Sequence, residues 1–237
     1  IFIKRKRIIS LRGPVSVSYH ANPFSRVFRY GTVLLKKSGE EKPLALSHVG
    51  VPEQCVAQIA AERAQEAMEM LDTEPESLDE LLARREHEQL EFKSSLRWDE
   101  REKKASKELE RAAMKTVAAF MNSNGGYLLL GVEDGGGVCG LEHDYLSLKH
   151  GNADGFEAHF TNVFRDTIGL PLRRFVKLDF HKKGGKEVCV VRVVPSTEPV
   201  FAKFDSAEHF YVRTGNATAP LPIREATSYI RSRFREA

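Results

Sequence analysis

Residues 122–141 read NSNGGYLLLGVEDGGGVCGL, and glycine at this density raises the question of phosphate binding. A P-loop needs Gly-Lys-Ser/Thr at the start of a helix, and a dinucleotide-binding loop needs a helix directly after its glycines. Here Gly125 and Gly126 follow a predicted helix, while Gly135 to Gly137 lead into VCGL, which predicts a strand. The stretch therefore predicts a helix end, a buried strand, a tight turn and a second strand, and no bound nucleotide is expected.

Two acidic residues, Glu133 and Asp134, close the apolar strand YLLLGVED. Acidic residues are unfavourable in strands, so a pair at the strand exit indicates a turn, a metal site or both. Carboxylate oxygens are the ligands that Mg²⁺ prefers in proteins.

Basic residues cluster in two places of the C-terminal two thirds, and one arginine lies in the strand-like segment YVRTGN. Such residues bind phosphate groups without reading sequence, although lysines at a hairpin tip also simply keep the hairpin soluble. The arginine is suited either to hold a phosphate with two hydrogen bonds or to pair with a carboxylate of the sheet. The candidates for nucleic-acid contact are Arg97, Lys104, Lys182, Lys183 and Arg213.

The composition of the 237 residues is that of an ordinary globular protein, with 41% hydrophobic and 29% charged residues. A net charge of +3 does not support nucleic-acid binding by itself, so that function would depend on local clusters. Three cysteines, far apart and odd in number, argue against a disulfide framework and a structural zinc site. We expect a reducing compartment, and therefore the cytoplasm.

The segments that must position these residues fall into two parts, with a predicted boundary near Pro75. Residues 1–74 predict strands in KRIISLRG, PVSVSYHA, GTVLLKKSG and KPLALSHVG, with a turn at SGEE, and then a helix that begins at Pro52. Residues 75–237 predict a capping box at Ser77 and Glu80, and then alternating helices and strands. Strand predictions there include LEFKSSL, YLLLGVED, a hairpin turned at residues 184–185, and HFYVRTG as the last strand of the sheet. The fold class expected is α+β, a mixed or antiparallel sheet with packed helices.

Residues 22–59, with RYGTV before PLAL and a Pro-capped helix, resemble the second half of a bacterial pleckstrin-homology-like domain. That resemblance implies a membrane-associated or scaffold module without chemistry of its own. The start IFIKRKR fits either the cytoplasmic flank of a membrane anchor upstream of Ile1 or one strand of a domain cut in its middle. The first alternative would place the protein at the cytoplasmic face of a membrane.

Four segments of the second part together resemble the AlbA_2 domain of the Schlafen family, namely EHEQLEFKSS (86–95), AAFMNSNGGYLLLGVEDGGGVCGLE (118–142), PSTEPVF (195–201) and FYVRTGNAT (210–218). Animal members use this domain to bind tRNA or rRNA, and some cleave it with three carboxylates and a divalent metal. The resemblance therefore implies a nucleic-acid-binding domain that favours structured RNA, with divalent-metal-dependent endoribonuclease activity as a finer expectation.

By the same resemblance, the ligands of Mg²⁺ or Mn²⁺ would be Glu86, Glu91 and Asp134, with Asp134 preferred to Glu133. Lys93, on the same strand face as Glu91, would stabilise the developing phosphate charge. The structural alternative is that Glu86 is a solvated residue at a helix end and that Glu91 pairs with Lys93 or Arg97.

The sequence departs from the animal proteins in two respects. Their zinc-ligating cysteines and histidines have no counterpart, so no zinc is expected, and the chain holds one lobe where their clamp has two. A homodimer would supply the second lobe. Two other functions stay open, a non-catalytic regulator that binds DNA or RNA and a membrane-proximal scaffold.

Overall fold

This computed structural model describes residues 15–27, 29–37 and 42–234. The chain forms two compact units, Ile1–Arg63 with Thr227–Ala237, and Ala64–Ala226. The predicted strand KRIISLRG, the turn SGEE and the basic start IFIKRKR lie outside the described residues. The predicted division into residues 1–74 and 75–237 stays a prediction.

The described residues of the first unit form an antiparallel sheet whose strands pair in chain order, in the region where the sequence predicts strands. Its core joins Val17, Val33 and Leu35 of the sheet to Val56, in the helix that begins at Pro52. These elements are β1 (Val15–His20), α1 (Pro23–Val27), β2 (Tyr30–Lys37), β3 (Leu44–Gly50) and α2 (Pro52–Asp72).

The remaining described elements confirm the α+β class. They are α3 (Leu78–Leu82), β4 (Leu90–Lys93), β5 (Trp98–Asp99), β6 (Lys104–Ala105), α4 (Lys107–Asn122), β7 (Gly126–Leu130), α5 (Glu142–Leu146), α6 (Ala153–Thr167), a 3₁₀ helix (Leu170–Phe175), β8 (Val176–Lys183), β9 (Lys186–Val193), β10 (Phe201–Phe204), β11 (Ala207–Thr214), β12 (Ala217–Pro220) and α7 (Ile223–Arg233).

The second unit contains two larger sheets and a two-stranded sheet of β5 and β6. The first has the order β4-β7-β9-β8, in which β4 and β7 are parallel and the other pairs antiparallel. The second has the order β10-β11-β12 and is antiparallel throughout. The prediction that HFYVRTG ends the first sheet is wrong, because β11 is the centre of the second sheet, between two short strands without a strong apolar pattern.

The first sheet is covered on both faces. Leu128 and Leu130 pack in a core with α4 and α6, whereas Leu90 and Phe92 pack with Leu129 and α3 on the other face. Because side chains alternate along a strand, Glu91 and Lys93 lie on the face of Leu128 and Leu130, at an edge strand of the sheet.

The glycine-rich stretch forms a close helix–strand junction. Gly125 takes φ +72°, and its N–H donates to the carbonyl of Phe120 at the end of α4. A Cβ atom on Gly126 would lie 2.6 Å from the carbonyl oxygen of Gln89, so side chains are excluded there by contact rather than by ligand binding. The predicted strand VCGL is wrong: after the turn closed by Glu133 and Gly137, pairing is reduced to one bridge between Val132 and Val138.

Among the described helices, none combines the length and the apolar character that crossing a bilayer requires.

Candidate nucleic-acid interface

Glu91 is the centre of an ion-pair network on β4. One of its carboxylate oxygens accepts from the Lys93 ammonium at 2.9 Å, and the other accepts from the Arg213 guanidinium at 2.9 Å. Only 15% of the Glu91 side chain is exposed. The pairing of Glu91 with Lys93, which the sequence offered as an alternative to metal binding, is therefore present. Arg97, the other partner considered for Glu91, pairs with Glu110 instead.

Arg213 is a buried connector between the two sheets of the second unit. Its side chain has no exposed surface, and its guanidinium also donates to the carbonyls of His87, Glu88 and Asn216 and to the hydroxyl of Thr218. Of the two roles that the sequence left open, the structure shows the pairing with a carboxylate. In this arrangement Arg213 positions Glu91 and the loop before β4, and it offers no surface to a phosphate.

Glu86 and Asp134 lie in different settings from Glu91. A carboxylate oxygen of Glu86 accepts the backbone N–H of Phe92 at 2.8 Å, so Glu86 fixes the loop that leads into β4. Asp134 is exposed in the turn closed by Glu133 and Gly137, beyond the end of β7. Because both acidic residues belong to a turn and not to the strand, alternation of strand faces does not decide between Glu133 and Asp134.

The predicted metal ligands do not fit a divalent cation in this arrangement. Mg²⁺ and Mn²⁺ require several carboxylate oxygens that converge on one point. Both oxygens of Glu91 are already paired with cations, and one oxygen of Glu86 is held by the backbone of Phe92. Across residues 15–27, 29–37 and 42–234, no group of three or more His, Cys, Asp and Glu residues is placed to hold a metal ion.

The other predicted contact residues differ in exposure. Lys182 and Lys183 are exposed at the tip of the β8–β9 hairpin, where Lys183 pairs with Asp79. Lys104 is exposed and pairs with Glu102, and Arg97 is mostly buried beside Glu110. The hairpin tip and Lys104 are thus accessible to a large anionic ligand, whereas Arg97 is held by the domain.

Asp144 is a structurally important residue that the sequence did not reveal. Its side chain is buried, and its carboxylate accepts the hydroxyl of Ser95 and the backbone N–H groups of Leu96, Arg97 and Trp98. Burial raises the pKa of Asp144, and these hydrogen bonds oppose that rise. Asp144 thereby fixes the loop after β4. No local sequence motif predicts that Asp144 fixes this loop, because its hydrogen-bond partners lie almost fifty positions earlier in the chain.

Comparison with known proteins gives one decisive result. The family model for "Schlafen, AlbA_2" matches residues 86–222, which is more than half of the chain. The chain belongs to the Schlafen AlbA_2 family. The AlbA_2 match includes β4, the glycine junction, both sheets and Arg213, and so confirms the resemblance seen in the four segments. The pleckstrin-homology-like resemblance of residues 22–59 is not confirmed and stays a prediction.

Solved structures similar to this AlbA_2 protein include two bacterial proteins, each 21% identical to it. A crystal structure of the DIP2311 protein from Corynebacterium diphtheriae covers 54% of this chain, which spans 23% of that chain, with a TM-score of 0.39. An NMR structure of the N-terminal domain of a putative ATP-dependent DNA helicase RecG-related protein from Nitrosomonas europaea covers 63% of this chain and 86% of that one, with a TM-score of 0.34. No curated protein matches. The assignment depends on the family model alone.

Proposed function

We propose that this AlbA_2 protein binds nucleic acid, with structured RNA preferred to duplex DNA. The observation that carries the proposal is the family match over residues 86–222. Nucleic-acid binding is what the AlbA_2 resemblance implies, and the exposed lysines of the second unit supply cations for phosphate groups.

The proposed contact surface consists of Lys104 and the β8–β9 hairpin tip. Lys182 and Lys183 are exposed, and the only carboxylate paired with either of them within residues 42–234 is Asp79, itself exposed. An exposed ion pair of this kind is weak, so a phosphate group can replace the carboxylate at little cost. Arg97 would contribute charge near this surface without leaving Glu110.

Divalent-metal-dependent cleavage by Glu86, Glu91 and Asp134, assisted by Lys93, is a finer prediction from the family. Metal binding by Glu91 requires its carboxylate to break its ion pairs with Lys93 and Arg213. The present arrangement therefore supports no catalytic step. Binding without cleavage is the function that the geometry supports best, since Glu91 acts here as a counterion for buried Arg213.

Fluorescence polarisation with labelled tRNA and a labelled DNA duplex tests the proposal. We expect the wild type to bind tRNA more tightly than duplex DNA, and a Lys182→Ala/Lys183→Ala variant to bind both more weakly. The slope of log affinity against log salt should fall in magnitude by roughly two, about one per lost phosphate contact.

A Lys149→Ala/Lys177→Ala variant is the matched control, since it removes two exposed lysines elsewhere in the unit and should retain wild-type affinity. Absence of binding to either nucleic acid would overturn the proposal, and tighter binding to duplex DNA would overturn the preference for RNA.

A denaturing gel of tRNA incubated with the protein in Mn²⁺ or in EDTA tests cleavage separately. We expect tRNA to stay intact in both. Fragments that require Mn²⁺ and that disappear with a Glu86→Ala/Glu91→Ala variant would establish the endoribonuclease instead.

A further inference from the structure

A groove of about 480 Å³ lies beside α4 and the β10–β11 hairpin, away from the Glu91 network. Its volume is within the range of about 300–1,000 Å³ that is usual for small-ligand sites. The side chains that matter for its chemistry are Arg111 and Lys115 of α4, Asp205 of the hairpin turn, and the rings of Phe204, His209 and Tyr211.

Three rings form one wall of this groove. Phe204 of β10 lies opposite Ala207 of β11. Because side chains alternate along a strand, His209 and Tyr211 lie on the same face of β11 as Ala207, and therefore on the face of Phe204. Ring centroids are 6.3 Å apart for Phe204 and His209, 5.9 Å for His209 and Tyr211, and 6.3 Å for Phe204 and Tyr211. Phe204 and Tyr211 are nearly buried, whereas His209 is partly exposed, so His209 is the accessible ring of the cluster.

Two cationic side chains of α4 lie over the Phe204 ring of this wall. The Arg111 guanidinium is 5.7 Å and the Lys115 ammonium 5.5 Å from the centre of the Phe204 ring. The two residues are four positions apart on α4, so they are neighbours about 6 Å apart along the helix axis.

These two cations differ in their counterions. Arg111 is paired with Asp205, whose side chain is 74% exposed, and with the exposed carboxylate of Glu108. Lys115 has no ion pair among the residues that the structure describes. Among the residues that line the groove, Arg111 and Lys115 thus face one carboxylate, that of Asp205, while Glu108 lies outside the lining. The Asp205 carboxylate occupies the place that a bound anion would take.

We propose that this groove binds one unpaired nucleotide of a nucleic-acid strand. Its phosphate lies between Arg111 and Lys115, displacing Asp205, and its base stacks on the accessible ring of His209. The inference rests on the proposed nucleic-acid binding and gives it a site for single-stranded segments. An anionic peptide would satisfy the two cations but would leave the ring wall unused, whereas stacking on aromatic side chains is a general feature of single-strand binding.

Four substitutions at three positions test the proposal with a labelled ten-nucleotide single-stranded RNA. Lys115→Ala should lower the magnitude of the log–log salt slope by about 0.7, the value for one single-strand phosphate contact. His209→Ala should weaken binding roughly fivefold or more through lost stacking, and His209→Phe should keep the affinity. Asp205→Asn should tighten binding, because it removes the carboxylate that competes for Arg111; Asn also tolerates the φ of +54° at this position.

The matched controls are Lys149→Ala for the lost cation and Asp154→Asn for the lost carboxylate, both at exposed positions away from the groove. Circular dichroism of each variant confirms folding. A 2-aminopurine base in the RNA gives a direct readout, since its fluorescence should be quenched by the wild type and by His209→Phe, and much less by His209→Ala. A single-stranded DNA of the same sequence shows whether the sugar matters.

The outcomes separate the two proposals. If tRNA binds but Lys115→Ala, His209→Ala and Asp205→Asn bind the single strand as the wild type does, the groove proposal is overturned and the proposed function stands. If the wild type binds neither tRNA nor the single strand, the proposed function fails and the groove assignment fails with it. If polyglutamate competes as well as unlabelled RNA, the groove is a general anion site and the assignment to a nucleotide is wrong.

Discussion

Arg213 holds Glu91 with a guanidinium that has no exposed surface, and this fixes what Glu91 can do. The Arg213 side chain donates five hydrogen bonds. They connect the loop at residues 87–88, Glu91 of β4, and the turn into β12 at residues 216–218. Loss of the negative charge on Glu91 would leave a buried cation with neutral acceptors alone. The carboxylate therefore stabilises the fold whether or not it has a further role.

We expect Glu91→Gln to lower the free energy of unfolding by about 2 kcal/mol, because the amide keeps a hydrogen bond but not the charge opposite Arg213. Lys93→Met is the control, since the Lys93 side chain is more exposed than that of Arg213. The loss of its ion pair with Glu91 should cost less than about 1 kcal/mol. Urea denaturation measures both. Equal stability of Glu91→Gln and the wild type would mean that the Arg213 charge is compensated elsewhere.

Asp144→Ala should destabilise the protein by about 3 kcal/mol or more. The substitution removes the acceptor of the Leu96 N–H and of the Ser95 hydroxyl, and buried donors without acceptors are costly. The N–H groups of Arg97 and Trp98 lose the same carboxylate and keep only the Ser95 hydroxyl oxygen as acceptor. Thermal and urea unfolding measure the loss, with Asp166→Ala as the control, whose exposed carboxylate pairs with Arg165 at the surface. A loss no larger than that of the control would show that the loop after β4 does not depend on Asp144.

Among the elements, α3 begins at a complete capping box. The Glu80 carboxylate accepts the backbone N–H and the hydroxyl of Ser77, and these bonds, the backbone one first, hold the pKa of Glu80 below its usual value of 4.5. A carboxyl whose folded pKa is lowered stabilises the fold at pH values above its unfolded pKa. That stabilisation is lost as the pH falls through the folded pKa.

An NMR titration of the Glu80 carboxyl carbon should therefore give a midpoint below 4.5 in the wild type. Ser77→Ala removes the hydroxyl and should move the midpoint upward. A Glu80 midpoint unchanged by Ser77→Ala would contradict the lowered pKa as a consequence of the cap.

Local signals predicted the elements that local chemistry determines. The capping box of α3, the helix that begins at Pro52 and the glycine stop after α4 each depend on residues a few positions apart, and each is present. The hairpin turned at Gly184 and Gly185 is present for the same reason.

Strand pairing and side-chain contacts between residues far apart in the chain could not be predicted from the sequence. β12 reads ATAP, with no apolar alternation, and it becomes a strand only because β11 lies beside it. The contacts of Arg213 with residues 87–91 span more than 120 positions, so the sequence could state the alternatives for Arg213 but could not choose between them. The groove beside α4 was missed for the same reason, since its cations and rings are about ninety positions apart.

For the molecule as a whole, the distribution of charge matters more than its sum. A net charge of +3 is too small to attract a polyanion from every side. Many carboxylates instead neutralise local lysines and arginines, as Glu91 does for Arg213 and Glu110 for Arg97. The cations left at the hairpin tip and over the ring wall of the groove then set where a nucleic acid would bind, and binding should depend on salt.

The decisive measurement is the affinity of the wild-type chain for labelled tRNA from about 50 to 200 mM KCl. We expect saturable binding, with the logarithm of the association constant falling linearly with the logarithm of the salt concentration. The slope should be reduced in the Lys182→Ala/Lys183→Ala variant and unchanged in Lys149→Ala/Lys177→Ala. No binding at the lowest salt, or an affinity that does not change with salt, would contradict it.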